Sequence, residues 1–257
     1  VKNKVVYEQP LSERARVWLR LEYLFECLAY HMKGPSSWDS RVTVSSVIEI
    51  LEFVSRTDFK LELIRDLEKQ TQELTRWQQM PGVDEMRLAQ VLERLGALIS
   101  ELVTAEGQYG QALNEHYLLA TIRQRNNIPG GTCRFDVPAY HHWLQQSPKQ
   151  RQIDVSDWFK HFSTLREAVE MNLYLIRQNA VPSHEIATGG FYQAKLDTHT
   201  TFQLIRITMP VDHSCYPEIS GGKHRFTLRF YEHQQRQYRP IPTEQDVHFE
   251  LCCCSAA

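Results

Sequence analysis

Arginine and phenylalanine alternate in the stretch Tyr216–Glu232, YPEISGGKHRFTLRFYE. Written as a β-strand, Phe226, Leu228 and Phe230 share one face. Arg225, Thr227, Arg229 and Tyr231 share the other, with Lys223 and His224 leading in. The apolar face belongs against a core, and the opposite face is suited to anions. Arg225 and Arg229 would stand about 13 Å apart, at about 3.3 Å per residue. That is too wide for two-pronged capture of one phosphate. It suits an extended acidic peptide or a broad acidic surface, because the planar guanidinium fork matches carboxylates. The plainer alternative is a solvated strand face. Pro217 and the Gly221–Gly222 pair ahead of the strand read as a turn.

Other cations, histidines and cysteines also have types and spacings that could carry chemistry. Arg16 and Arg20 lie at i and i+4 on a predicted first helix, where like charges cost about 0.2–0.5 kcal/mol. Glu13 and Glu22 could offset part of that, so the pair reads either as an exposed helix face or as a second piece of an anion-binding surface. Arg123 and Arg125 sit near a predicted helix C-terminus, where the helix dipole alone favours cations. His141 and His142 are neighbours on a short helix and point about 100° apart, a poor chelating pair. Cys252, Cys253 and Cys254 alternate across a strand and read as small buried residues. No HExxH, Walker loop, GxGxxG after a strand, nucleophile elbow or kinase set occurs. No catalytic residue, metal ligand or cofactor is expected. A hydrolase assembled from scattered carboxylates or histidines is the enzyme rival.

The 257 residues are 42% hydrophobic and 23% charged, with a formal net charge of −2. This is globular composition, and a dedicated nucleic-acid binder is usually basic overall. A nucleic-acid-binding module that uses the same cations, with Tyr231 and Tyr238 for stacking, remains the alternative reading. No run of apolar residues reaches membrane-spanning length, so no membrane partner is expected. The first residues, VKNKVVYEQPLSER, lack an apolar signal-peptide region. Six cysteines without a framework spacing point to the reducing cytosol.

Steps of three and four from Leu11 through Ala15, Trp18, Leu21, Phe25, Leu28 and Met32 predict a helix capped by Ser12, after a short strand-like start. GPSSWDS reads as a linker. Further helices follow over VTVSSVIEILEFVSR, over FKLELIRDLEKQTQELTRWQQ with Thr57 or Asp58 as cap, and over EMRLAQVLERLGALISELV with Asp84 as cap. IPGGTCRFDVP reads as a turn, a short strand and a stop. Helices are expected near 139–146 and 155–179, able to pack on the helical part, before four strand-like runs. Helices first and strands last predict an α+β fold: an N-terminal α-helical bundle domain over 1–115, then a C-terminal β-rich domain with inserted helices over 116–257.

In order along the chain, YEQPLSERARVWLRLE, MPGVDE, IRQRNNIPGGTCRFDVP, GGFYQ, YPEISGGKHRFTLRF and FELCCC together resemble the ZapD family of bacterial cell-division proteins, from Tyr7 to Cys253. The resemblance implies a non-enzymatic, cytoplasmic homodimer. Such proteins bind the acidic C-terminal tail of FtsZ and bundle its filaments in the midcell ring. It also implies a basic partner-binding surface at Arg16, Arg20, Arg56, His141, Arg225 and Arg229, which Lys223, leading into the arginine strand, would join. Arg123, Arg125 and His116 are secondary candidates. His116 stands beside Tyr117, where the family can carry arginine.

Overall fold

A computed structural model describes residues 3–55, 58–78, 80–105, 107, 109–222, 224–232 and 239–255. Among them the elements run β1 (Lys4–Pro10), α1 (Glu13–His31), α2 (Ser37–Val54), α3 (Phe59–Trp77), α4 (Glu85–Thr104), α5 (Gln111–Asn114), α6 (Tyr117–Asn126), α7 (Pro138–Leu144), α8 (Pro148–Lys160), α9 (Ser163–Gln178), β2 (Ser183–Ala187), β3 (Phe191–Lys195), β4 (Phe202–Pro210), β5 (Cys215–Gly221), β6 (Arg225–Glu232), β7 (Ile241–Pro242) and β8 (Val247–Ser255). The fold is α+β. Residues 20–172 form one compact unit, and residues 1–19 with 173–257 form the other.

In the helical unit, caps decide boundaries that apolar periodicity left open. Ser12 accepts the Ala15 N–H at 3.1 Å and starts α1 as expected. The expected linker GPSSWDS is helical from Ser37. There the Ser36 hydroxyl accepts the Asp39 N–H at 3.0 Å while the Asp39 carboxylate accepts the Ser36 N–H at 3.1 Å. This capping box satisfies two orphan donors reciprocally. Hydrogen bonds from Ser36 and then His31 hold the Asp39 carboxyl below its usual range. Asp84 caps α4 through the Arg87 N–H. Asp58 precedes α3 but makes no side-chain cap, and Thr57 lies outside the described residues.

Two further segments differ from expectation. IPGGTCRFDVP contains no strand. It winds through consecutive turns, with Gly131 N–H bonded to Ile128 O (2.8 Å), Cys133 to Gly130 (2.9 Å) and Asp136 to Cys133 (3.1 Å). A Cβ on Gly131 would lie 2.0 Å from the Arg125 carbonyl oxygen, so only glycine fits that winding. The single helix expected near 155–179 is instead α8 and α9. Short-range bonds from His161 and Phe162 back to Trp158 and Phe159 break the run. The break turns Phe162 into the core against Phe25, with ring centroids 6.4 Å apart.

Arg151 is buried in this unit, and no carboxylate among the described residues pairs with it. It donates to Ser40 Oγ (2.9 Å) and to the carbonyls of Leu144 (3.0 Å), Gln146 (2.5 Å) and Pro35 (2.7 Å). It thus ties the start of α2 to the α7–α8 connection, and α8 packs on α2.

The other unit is a pair of antiparallel sheets, ordered β1-β4-β8-β2 and β3-β6-β5, with β7 added to β6. YPEISGG, expected as a turn, is edge strand β5. Pro217 is tolerated there because an edge strand can spare a donor. The core takes Ile205, Ile207, Met209, Phe249 and Leu251 from the first sheet and Phe226, Leu228 and Phe230 from the second. The predicted alternation of β6 holds residue by residue. Burying each such side chain is worth about 1.5–3 kcal/mol. On the reverse face of the first sheet, Glu8 accepts from Arg177 at 2.7 and 2.9 Å and pairs with Arg206 at 2.7 Å. One carboxylate therefore fastens β1 to both α9 and β4.

Candidate functional site

The exposed face of the β3-β6-β5 sheet is built by strand register. Because β6 is central, its outward residues have a neighbour on each side. Lys195 stands opposite Arg225. Gln193 and Ser220 flank Thr227. Phe191 and Glu218 flank Arg229, and Tyr216 stands opposite Tyr231. The Arg229 guanidinium lies over the Phe191 ring, 5.9 Å from its centroid, and Tyr216 stacks on Tyr231 at 6.0 Å. The face thus grades from a cationic row, through a neutral hydrogen-bonding row, to a row pairing cation with aromatic ring.

A groove of about 550 Å³ opens on this face, lined by Gln193, Ser220, Gly222, His224, Arg225 and Thr227. It exists because Thr227 and Ser220 are short where the flanking rows carry long side chains. Backbone bonds from Gly222 N–H to Arg225 O (3.0 Å) and from Leu196 N–H to His224 O (2.9 Å) hold its end.

The expected site residues fall in both units. Arg225 and Arg229 share the groove face, both exposed. Arg16 belongs to the same unit and contacts Glu13 at 3.6 Å. It follows Leu11, which packs on the sheet core and lies beside Gly221 at the groove end of β5. Arg20 belongs to the helical unit, paired with Glu49 at 2.6 Å and lying over the Tyr23 ring. An incoming carboxylate must displace Glu49 to use it. His141 is half-buried on α7. Arg123 donates to the Asn114 side-chain oxygen Oδ1, Arg125 sits 3.7 Å from Asp136, and His116 packs edge-on against Trp158. These three secondary candidates are already engaged. Arg56 and Lys223 lie outside the described residues, as does Tyr238. Lys195 and Phe191 were not anticipated. Their only signal was a strand with one lysine, because cross-strand register is invisible in sequence.

In the helical unit a cavity of about 420 Å³ is lined by Tyr109, Gln111, Glu115 and His161. Glu115 there accepts from Gln111 at 3.1 Å. Among the described residues, no three His, Cys, Asp or Glu side chains converge as for a metal ion. Within the cysteine run, Cys252 and Cys254 are buried on one face of β8 while Cys253 packs toward the sheet core. Burial pushes all three thiols up, Cys253 to about 11 and Cys254 to about 12. Since the thiolate is the reactive form, these three are expected to resist Ellman's reagent at pH 8 in the native protein, while exposed Cys133 reacts at once. Fast native labelling of all six would contradict the burial.

A family model described as "ZapD: Cell division protein" matches residues 19–229. The Methylococcus capsulatus cell division protein ZapD is 37% identical over 254 residues, 99% of each chain. The chain belongs to the ZapD family of cell division proteins. The Aromatoleum aromaticum relative of that name is 35% identical over 251 residues, covering 98% of this chain and 97% of its own. The Shigella flexneri relative is 35% identical over 259 residues, covering 99% and 100%. The family is named for cell division, and the matched region includes both arginines of the groove face. No helix among the described residues is long and apolar enough to cross a membrane.

Proposed function

We propose that this cell division protein is a non-enzymatic crosslinker that binds the acidic C-terminal tail of FtsZ and bundles its filaments at the midcell ring in the cytoplasm. The observation that carries the reading is the outward row of Arg225 and Arg229 on a strand whose other face is locked into the core. The reading also assigns to the partner Arg16 of the same unit, Arg20 and His141 of the helical unit, and Arg56 and Lys223, which lie outside the described residues. A symmetric homodimer supplies two equivalent sites, so weak tail binding becomes filament crosslinking through effective concentration.

The test is sedimentation of the protein with FtsZ and GTP, beside FtsZ lacking its tail. Pelleting with intact FtsZ alone is expected. It should weaken steeply between low and physiological salt, where charges are screened within about 8–10 Å. Equal pelleting with both forms, or with neither, would count against tail recognition.

A further inference from the structure

Lys195 and Arg225 face each other in direct register across the β3/β6 ladder, both exposed. Like charges in that position repel and destabilise a sheet. No carboxylate among the described residues pairs with either. Arg229, in contrast, rests on Phe191 and has Glu218 opposite it. Between the two rows stand the neutral Gln193 and Thr227, which line the groove together with Arg225.

We propose that Lys195 and Arg225 together form a two-pronged seat for one carboxylate of an extended acidic peptide running along β6, with Phe191 and Arg229 as a second, amphipathic seat. Cβ atoms of directly opposed residues stand about 4.5–5.5 Å apart, so one carboxylate reaches both heads. Arg225 and Arg229, about 13 Å apart along the strand, cannot share one. The ligand therefore carries acidic groups about four residues apart in an extended chain, at about 3.3 Å per residue. An apolar side chain beside the second lies against Phe191. Glu218 repels that second carboxylate from the β5 side, so the segment keeps to the β3 side of β6. The residues between cross Thr227, where only a short side chain leaves room. Charge selects acidic segments, and the spacing of the two seats selects among them.

This inference rests on the tail-binding reading, and the experiment separates the two. Labelled FtsZ tail peptide and a scrambled peptide of the same composition are titrated by fluorescence anisotropy against the full chain and its Lys195→Gln, Lys195→Glu and Thr227→Trp variants. The tail is expected to bind more tightly than the scramble. Lys195→Gln should weaken the tail three- to tenfold without lowering the melting temperature, because it removes a repulsion from the free protein. Lys195→Glu and Thr227→Trp should weaken it more than tenfold. Wild-type affinity in folded Lys195→Glu and Thr227→Trp would overturn the seat and leave tail binding standing. Equal affinity for tail and scramble, both lost in Lys195→Glu, would keep the carboxylate seat and overturn tail recognition. No binding of either peptide would overturn both.

Discussion

Reversing both arginines, Arg225→Glu with Arg229→Glu, is expected to abolish FtsZ bundling while leaving the protein folded. Each reversal replaces an attraction for the tail with a repulsion. A loss of about 1.4 kcal/mol is tenfold in affinity. Crosslinking needs two sites at once, so a tenfold loss per site compounds to about a hundredfold. The fold should be spared because both side chains are exposed while Phe226, Leu228 and Phe230 hold the strand from its other face. The local charge changes also nearly cancel. Glu at 229 would face Glu218, an unfavourable pair, and Glu at 225 would face Lys195, a favourable one. Such pairs are worth about 0.2–1 kcal/mol each. Light scattering of FtsZ with GTP reads the bundling, and circular dichroism reads the fold. Undiminished scattering from a folded double variant would remove the groove face from the proposed function.

The largest stability effect is expected at Arg151. Its guanidinium is buried, 5% exposed, and has four neutral acceptors within 3.0 Å. Hydrogen bonds from a charged donor contribute about 1.5–3 kcal/mol each, which offsets the several kcal/mol that burying an ion costs. Arg151→Met removes the charge and its desolvation cost but strands the carbonyls of Pro35, Leu144 and Gln146. At about 1–3 kcal/mol for each stranded group, partly relieved by water, the loss is about 3 kcal/mol. For a chain of this size that is about 6–12 °C in melting temperature, at about 2–4 °C per kcal/mol. Trp143 and Trp158 pack 5.5 Å apart, tilted by 31°, in the same helical unit, so tryptophan fluorescence reports on the melt there. Arg151→Lys keeps the charge but not the fork, and it should fall between wild type and Arg151→Met. A melting temperature within 2 °C of wild type, a margin well below the expected shift, would show that the network carries no net stability.

The sequence by itself determined which residues face outward on β6. A strand has a period of two, so Phe226, Leu228 and Phe230 cannot be buried without exposing Arg225 and Arg229. It determined the α+β class, because helical and strand periods occupy separate stretches. It also determined the Ser12 and Asp84 caps, which are contacts within four residues. The Ser36–Asp39 capping box is equally local, three residues apart, and it turns the expected linker into a helix start.

Tertiary structure decided the rest, because those features depend on partners far along the chain. Edge strand β5 exists only because β6 offers it a ladder, and Pro217 looked like a turn without one. Strand β1 pairs with β4, about two hundred residues later, a registry no window of sequence contains. The helix expected to run from 155 to 179 broke because burying Phe162 against Phe25 outweighed the continuity of the helix. Lys195 became a candidate for the same reason: an isolated lysine on a short strand says nothing until register sets it opposite Arg225.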